Sequence, residues 1–554
     1  LVALWWVACV LLHILAFAGA VLEQGFFLHT ESRLNFSLLR YGWENFQMLH
    51  GLILSGVDSR FFAQARLAGA ALLLGFLLSF LFRTRKRRLF DWMAPAGLLT
   101  LLVPATTAVT EADLAPSTLG ELLRSPGVSA KIAARASEHT ILPQDLYQRP
   151  TLVGGEALAS VEPPLNIVLL VMESTRFDLL APYTPAGREL APNLARIAEE
   201  SWVVESMYTT VSHTSKALIG ILCGMFPRLS QPITETLESS LPLTCLPHLL
   251  GEAGYRTVFL QTARSSFENR PGLVRNLGYQ SGAFMETMER PGFETIGYLG
   301  IDEFAMLEPV ESFLDGAGSM PFFLTLLTLT PHHPYDVAGQ PPPSRQTGPF
   351  HQYLEALRHQ DRFVGEVYRL LESRGLLENT VFILLGDHGE AFGEHKRRQH
   401  DIVPYEEVVR VPMFLRVPAR LGEPRKVTGL RQLTDLMPTL LSFTGLPWEG
   451  RLPGRDLRSA DGAERVVTSC WYTDYCLSMR EGSRKFVYHY GIRPTEVFDL
   501  AADPWERQNL ARNLDPLTVA EAEERMLAAK LSFDAFWAAQ PVPGDDPLWW
   551  SASP

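Results

Sequence analysis

Residues 384–400 read LLGDHGEAFGEHKRRQH, and the apolar run that leads into them, VFILL at 381–385, predicts a strand buried on both faces. The run ends at Gly386, Asp387 and His388, so a carboxylate and an imidazole follow the strand directly. Open α/β sheets bind their ligands beyond the carboxyl ends of their strands. An Asp and a His in that position can hold a divalent metal, which indicates chemistry on a charged ester.

Strand-like and helix-like segments alternate through the rest of the chain. Apolar strands are predicted at 165–172, 256–261, 322–330 and 411–417, and helices at 192–201, 243–253, 351–377 and 435–443. This alternation favours an α/β fold with a doubly wound, mostly parallel sheet. Beyond about residue 450, short strands at 466–471, 486–490 and 497–500 predict a small antiparallel C-terminal subdomain, and a helix is predicted at 516–539.

The first 110 residues differ from the rest because they hold long uncharged runs. Residues 1–22, 67–82 and 92–109 are long enough, or nearly so, to cross a bilayer, which predicts about three transmembrane helices. Buried core helices are the alternative, which the clustering of three such runs at one end disfavours. A cleaved signal peptide fits poorly because more spans follow the first. The basic sequence RTRKRR at 83–88 places its loop in the cytoplasm, so the chain after about residue 111 is expected outside it.

Composition indicates where the domains begin and end. The expected organisation is a transmembrane region at 1–110, a linker at 111–162, a catalytic α/β domain at 163–512, and a C-terminal helix and tail at 513–554. The chain begins with Leu inside an apolar run, so we expect further residues upstream. A net charge of −12 disfavours a general nucleic-acid binder, which needs a basic surface.

Four of the five cysteines lie in two local pairs, Cys223/Cys245 and Cys470/Cys476, and Cys9 falls in the first predicted span. Paired cysteines in an oxidising compartment predict two disulfides, in agreement with an extracytoplasmic domain. Free buried thiols are the alternative.

Two other segments carry groups suited to metal-assisted catalysis. Glu173 follows the strand at 165–172, and Thr214 lies in SHTSKAL at 212–218, at the predicted start of a helix. Taken alone, Glu173 would be a surface carboxylate or a helix-capping partner, and Thr214 an N-cap threonine. A doubly wound sheet would bring both to the same edge as Asp387, so the set predicts a single site.

These segments together resemble the sulfatase branch of the alkaline-phosphatase superfamily, and most closely its membrane-anchored lipoteichoic acid synthase and phosphoethanolamine transferase types. The resemblance covers about residues 165–510. It implies that Glu173, Asp387, His388 and Thr214 are metal ligands and that Thr214 is also the nucleophile. A metal that contacts the threonine hydroxyl lowers its pKa and orients it toward phosphorus.

Two histidines and a lysine complete the predicted site. His332, in TPHHPY at 330–335, matches the family's His-x-Pro element, and His400 resembles the histidine downstream of the Asp-His pair in the phosphoethanolamine transferases. The resemblance implies that both bind substrate and act in catalysis, by protonating the leaving alkoxide or activating the acceptor. Lys216 either contacts a substrate phosphate or points to solvent, and the sequence leaves both open. The segment VFDLAADP at 497–504 resembles the C-terminal sulfatase signature.

One difference from the hydrolytic sulfatases bears on the reaction. Those enzymes need a Cys or Ser, followed at a fixed spacing by Pro and Arg, which becomes formylglycine. Here Thr214 is followed by Ser-Lys-Ala-Leu, and Thr cannot become that aldehyde. The first strand also ends in Glu-Ser rather than Asp-Asp. Both differences favour phosphoryl-group transfer over sulfate hydrolysis.

The expected protein is therefore an enzyme of a bacterial-type inner membrane with a periplasmic catalytic domain. Thr214 attacks a membrane phospholipid donor, retains its phosphoglycerol or phosphoethanolamine headgroup, and passes it to a cell-envelope glycan or lipid acceptor. The ligands favour Zn²⁺ or Mn²⁺, and Mg²⁺ or Ca²⁺ also suit the oxygen donors. The alternatives are a hydrolase that acts on phosphodiesters or sulfuric esters at the same site, and a metal-free membrane-bound interaction protein.

Overall fold

The computed structural model describes residues 145–153, 163–229, 233–238, 240–288, 292–339, 348–471, 476–489 and 493–540 of the chain. All of these except Lys396–Arg398 belong to one compact unit, Ile132–His395 with Gln399–Pro554. The predicted transmembrane region at 1–110 and most of the predicted linker at 111–162 lie outside the described residues. Within the described ranges, no helix has both the length and the apolar character needed to cross a membrane.

Strands and helices alternate along the described chain. The strands are β1 Gln148–Leu152, β2 Asn166–Met172, β3 Trp202–Val204, β4 Met207–Tyr208, β5 Arg256–Gln261, β6 Ser281–Ala283, β7 Thr295–Ile296, β8 Gly300–Ile301, β9 Phe322–Leu327, β10 Thr380–Gly386, β11 Ala391–Phe392, β12 Arg398–Gln399, β13 Arg410–Val411, β14 Met413–Arg416, β15 Lys426–Val427, β16 Arg431–Gln432, β17 Trp448–Arg451, β18 Arg465–Ser469, β19 Leu477–Glu481, β20 Arg484–Tyr488 and β21 Glu496–Asp499. The α-helices are α1 Gly187–Leu190, α2 Pro192–Glu199, α3 Thr214–Cys223, α4 Leu246–Glu252, α5 Arg270–Asn276, α6 Met285–Met288, α7 Leu307–Ala317, α8 Gly348–Ser373, α9 Glu406–Val409, α10 Leu436–Thr444 and α11 Pro516–Ala538.

The main sheet has eight strands in the order β15–β3–β14–β10–β2–β9–β5–β6. Strands β10, β2, β9, β5 and β6 run parallel to one another, whereas β14 is antiparallel to both β10 and β3. The α/β class is thus confirmed, and β14 makes the sheet mixed. Strands β2, β9 and β10 are buried along their whole length, as expected for apolar runs in a parallel sheet covered on both faces.

One large apolar core joins the central strands to helices α2, α7 and α8. Helix α3 is buried at every position, although it includes Ser215 and Lys216. A buried polar side chain needs an internal partner, so each of these must be hydrogen-bonded within the fold. These partners position the site described below.

The C-terminal residues form a separate four-stranded antiparallel sheet, β18–β19–β20–β21. Its first, third and fourth strands match the predicted ones, whereas β19, whose sequence LSMRE is half polar, was not predicted from the sequence. The described part of the predicted linker holds β1, which pairs with β17 of the predicted catalytic domain. Disulfides join Cys223 to Cys245 and Cys470 to Cys476, as predicted.

Candidate metal and catalytic site

Parallel strands that end at the same level of the sheet place the site residues side by side. Met172, the last residue of β2, lies opposite Gly386, the last residue of β10. Glu173 and Asp387 come next along the two chains, so both lie at the carboxyl edge of the sheet. The backbone N–H of Glu173 donates to Thr328 Oγ1 at 3.0 Å, which ties this edge to the residue that follows β9.

Glu173, Asp387 and His388 form a buried cluster in which one ligand atom of each lies within 4.8 Å of the others. Asp387 Oδ1 accepts the backbone N–H groups of Ser174 at 3.0 Å and of His388 at 2.8 Å. Asp387 Oδ2 is buried and has no hydrogen-bond partner among the described residues. His388 Nδ1 lies 3.0 Å from the carbonyl oxygen of Gly389, which can only accept, so the proton sits on Nδ1 and Nε2 keeps its lone pair.

The electrostatics of this cluster suit a cation. His388 Nε2 lies 3.6 Å from Glu173 Oε1 and 3.5 Å from Asp387 Oδ2. Burial, followed by repulsion from Asp387, raises the pKa of Glu173, and burial raises the pKa of Asp387 to about 7. Burial also lowers the pKa of His388 to about 3, which keeps the imidazole neutral. Two carboxylates that destabilise each other and a free imidazole nitrogen are the donors that a divalent cation binds, so the residues fit a metal ion.

Thr214, the first residue of α3, directs its hydroxyl into this cluster. Oγ1 donates to Glu173 Oε2 at 3.0 Å and lies 3.5 Å from His388 Nε2. The structure therefore brings Thr214 together with the three other predicted metal ligands. Its place at a helix N-terminus adds the positive end of the helix dipole, which stabilises negative charge at that point.

Two further predicted residues, His332 and His400, line the same site. The rings of His388 and His400 stack with their centroids 4.0 Å apart, and His332 lies edge-on to His400 at 5.9 Å. His332 Nδ1 lies 2.7 Å from the carbonyl oxygen of His333, so Nε2 is the nitrogen that can exchange a proton. Burial, followed by repulsion from His332, lowers the pKa of His400 well below its ordinary value.

Glu390 belongs to the site, although the sequence did not single it out. It is fully buried, and its two carboxylate oxygens lie 3.3 and 3.4 Å from His400 Nδ1. Burial raises the pKa of Glu390 to about 8. Its position in the run DHGE, directly behind the strand that ends at Gly386, is the signal that could have identified it.

Lys216 does not reach the site. Its Nζ donates to both carboxylate oxygens of Glu235, at 2.7 and 2.8 Å, and the two side chains are buried. Neither predicted alternative, a phosphate contact or a place in solvent, describes it. The reason is geometric: two residues along an α-helix correspond to about 200° of rotation, so Lys216 leaves α3 on a different face from Thr214.

A buried glutamate from another loop holds both chain neighbours of Thr214. His213 Nε2 lies 3.0 Å from Glu268 Oε1, and Ser215 Oγ donates to Glu268 Oε2 at 2.6 Å. The ring of Trp471 lies against the His213 ring, with the centroids 3.5 Å apart and the planes tilted by 32°. Glu268 lies 55 residues from His213 in the chain, and no sequence pattern pointed to it.

Two other groups of acidic and histidine side chains lie in the described part of the chain: Asp302, Glu303 and His359, and His395, Glu407 and Glu506. In the first, Arg362 Nη2 contacts His359 Nδ1 at 3.0 Å, and in the second, Lys485 Nζ pairs with Glu506 at 2.8 Å. A cationic side chain thus already supplies positive charge to each group. They fit internal ion-pair networks better than metal sites.

Comparisons with known proteins bear on the family and the fold of the chain. A family model described as Sulfatase matches residues 165–446. Lipoteichoic acid synthase 1 of Bacillus subtilis is 26% identical over 323 residues, which cover 54% of this chain and 49% of the relative. Choline-sulfatase of Rhizobium meliloti is 24% identical over 458 residues, which cover 67% of this chain and 88% of the relative. The chain spans about half the length of the Bacillus lipoteichoic acid synthase relatives it matches.

Solved structures show the same architecture. A protein in the alkaline phosphatase superfamily from Vibrio parahaemolyticus matches 75% of this chain and 96% of its own, with a TM-score of 0.55 and 20% identity. A lipoteichoic acid synthase from Listeria monocytogenes matches 74% of this chain and 99% of its own, with a TM-score of 0.55 and 18% identity. At these identities the likeness shows the fold, an alkaline-phosphatase-like α/β arrangement.

Proposed function

The chain belongs to the sulfatase family, and we propose that it is a metal-dependent phosphotransferase of that family, which moves a phosphoglycerol or phosphoethanolamine headgroup through Thr214. The observation that carries this proposal is the hydroxyl of Thr214, which lies 3.0 Å from Glu173 Oε2 inside the candidate metal cluster. An alcohol nucleophile that cannot become formylglycine suits attack on phosphorus better than sulfate hydrolysis.

In the first half-reaction the Thr214 oxygen bonds to phosphorus while the bond from phosphorus to the diacylglycerol oxygen breaks. Glu173 Oε2, which accepts the hydrogen bond of the hydroxyl, is placed to take its proton. A cation held by Glu173, Asp387 and His388 would act as a Lewis acid that acidifies the hydroxyl and balances charge on the phosphate. The leaving alkoxide takes a proton from Nε2 of a protonated His332, which is partly exposed and can exchange protons with solvent.

In the second half-reaction an acceptor hydroxyl gives its proton to the now neutral His332 and attacks the phosphorus. The bond to Thr214 breaks, and its oxygen recovers the proton held by Glu173. His400 remains neutral because burial keeps its pKa low, and its stacked ring holds His388 in place. Every proton is thereby returned, and the site is ready for another phospholipid.

The proposed donor is a membrane phospholipid, and the proposed acceptor is a cell-envelope glycan or lipid. Two disulfides suit an oxidising compartment outside the cytoplasm. The spans predicted at 1–110 would hold the catalytic unit at the periplasmic face of an inner membrane, where the local donor concentration is high. The nitrogen and oxygen donors favour Zn²⁺ or Mn²⁺.

A hydrolase is the second candidate, with water in place of the acceptor hydroxyl. The similarity to choline-sulfatase, which spans 88% of that relative, favours it. The threonine at position 214 disfavours sulfate-ester hydrolysis but is compatible with cleavage of a phosphodiester. Product analysis with and without sugar acceptors distinguishes the two reactions.

The test compares the full chain with Thr214→Ala and Thr214→Ser variants in vesicles of phosphatidylglycerol or phosphatidylethanolamine. We expect diacylglycerol release with the native chain, reduced release with Thr214→Ser, and none above background with Thr214→Ala. Mass spectrometry of the peptide that holds Thr214 is expected to show the mass of the retained headgroup. Undiminished diacylglycerol release by Thr214→Ala refutes the covalent role.

A further inference from the structure

The residues on either side of Thr214 are bound by one carboxylate. Glu268 uses one oxygen for His213, at 3.0 Å, and the other for Ser215, at 2.6 Å. Arg270 Nη1 donates to Ser215 Oγ at 2.9 Å and so adds a second partner to the same hydroxyl. All four side chains are buried. The nucleophile is thus the central residue of a tripeptide that is anchored at both ends.

The loop that carries Glu268 has an unusual backbone. Glu268 and Asn269 have φ values of +50° and +46°, in the left-handed region that non-glycine residues rarely occupy. Each of these conformations costs free energy, and two in succession persist only where surrounding contacts hold them. Asn269 Nδ2 donates to the carbonyl oxygen of Thr236 at 2.9 Å, and a Cβ on Gly272 would lie 2.2 Å from that same oxygen. The loop is therefore fixed in the conformation that presents Glu268 to α3.

The charge on Glu268 strengthens these contacts. Burial alone raises its pKa, but His213 and then Arg270 outweigh burial, and the net pKa falls to about 2. The carboxylate is therefore ionised at physiological pH, and its hydrogen bonds are charge-assisted. Trp471, next to Cys470 of a disulfide, packs against the ring of His213 and restricts its movement.

Thr214 needs such support because its own side chain is not fixed by the helix. Threonine in a helix divides between two χ1 rotamers, so the helix alone does not determine where the hydroxyl of Thr214 lies relative to Glu173. A misplacement of about 1 Å at a reacting atom can lower a rate about 100-fold. We propose that Glu268 is a positioning residue, which holds Thr214 in its reactive orientation by binding His213 and Ser215. This inference rests on the proposed role of Thr214 as nucleophile.

The test uses the full chain with Glu268→Ala, Glu268→Gln and Ser215→Ala, and with Glu366→Gln as the control on the exposed side of α8. Turnover is measured on phosphatidylglycerol vesicles and on bis(4-nitrophenyl) phosphate, and metal content is measured on each purified protein. We expect Glu268→Ala to lower kcat at least about tenfold, with little change in KM or metal content, because only orientation is lost. Glu268→Gln keeps the shape and one acceptor oxygen, so its loss is smaller. Glu366→Gln is expected to match the native chain.

A readout independent of turnover is the methyl NMR signal of Thr214, assigned with Thr214→Ser. It is expected to be a single sharp signal in the native chain and to broaden or split in Glu268→Ala. The positioning role is overturned if Glu268→Ala has the same kcat as Glu366→Gln and its Thr214 methyl signal is unchanged. If the native chain turns over neither phosphatidylglycerol nor bis(4-nitrophenyl) phosphate, the proposed function fails. The methyl signal alone then decides the role of Glu268.

Ser215→Ala covers the case in which Glu268→Ala does not fold. It removes one of the two contacts that Glu268 makes. In the double variant Ser215→Ala/Glu268→Gln, the loss of kcat is expected to be smaller than the product of the two single losses, because both changes affect the same contact. Losses that multiply fully in the double variant show that the two residues act independently, which also overturns the inference.

Discussion

The buried pair of Lys216 and Glu235 offers a direct test of what the lysine does. Its Nζ lies 2.7 and 2.8 Å from the two carboxylate oxygens, and both side chains are at most 1% exposed. Glu235 Oε1 also accepts the backbone N–H of Arg228 at 3.2 Å. The perturbation is Lys216→Met alone, Glu235→Gln alone, and the two together, since glutamine keeps an acceptor for Arg228.

The expected magnitudes follow from the burial of both charges. Either single change leaves one charge buried without its partner, and such losses cost about 3–5 kcal/mol of the free energy of unfolding. The double variant removes both charges, and neutral replacements of buried pairs are often close to neutral, so we expect a cost of at most about 2 kcal/mol. The coupling energy between the two positions is then several kcal/mol. Activity of the double variant is expected to stay close to that of the native chain.

The assay is guanidinium unfolding of the full chain in detergent, followed by tryptophan fluorescence, together with kcat and KM on bis(4-nitrophenyl) phosphate. Glu366→Gln serves as the control for a change of charge at the surface. A double variant as unstable as the single ones refutes the assignment of the destabilisation to an unpaired charge. A double variant that is stable but has a KM raised more than tenfold shows that Lys216 meets the substrate after all.

Three further predictions concern the site and its support. Asp387→Asn is expected to lose bound metal while it remains folded, and stoichiometric metal in that variant would contradict the ligand assignment. His332→Ala is expected to lower kcat about 100-fold, the contribution typical of general acid–base catalysis, at unchanged metal content; a kcat within threefold of native argues against proton transfer by this residue. The pKa of Glu268 falls from its ordinary 4.5 to about 2 on folding, so its stabilisation is present above pH 4.5 and is lost as the pH falls toward 2. The loss amounts to roughly 3 kcal/mol, and Glu268→Gln is expected to reduce this acid dependence in unfolding measurements from pH 7 to 2.5; an unchanged slope counts against the charged carboxylate.

Uninterrupted apolar runs were the most dependable signal in the sequence. Strands β2, β9 and β10 follow from such runs because a strand buried on both faces needs apolar side chains at nearly every position. Strand β19 was not predicted because three of its five residues, Ser478, Arg480 and Glu481, are polar, so it contains no continuous apolar run. The antiparallel direction of β14 also could not be predicted, since its apolar run suits either direction.

The candidate site likewise contains some residues that the sequence predicted and others that it did not. Glu173, Asp387 and His388 follow predicted strands directly, so the sequence specifies their approximate place once the sheet is parallel. Glu268 and Glu390 were not predicted as buried site residues because Glu is mostly exposed in proteins, and only a tertiary partner reveals an exception.

The sequence by itself determined the α/β class, the central strands and the residue types available for metal binding, and it predicted the two disulfides that the structure confirmed. These depend on local hydrophobicity and on chemical identity, which each residue carries with it. Only the tertiary structure decided that Lys216 pairs with Glu235 rather than with substrate, and that Glu268 binds both neighbours of Thr214. The direction of a side chain and its partner depend on helix rotation and on loops distant in the chain, and neither is encoded in a local pattern.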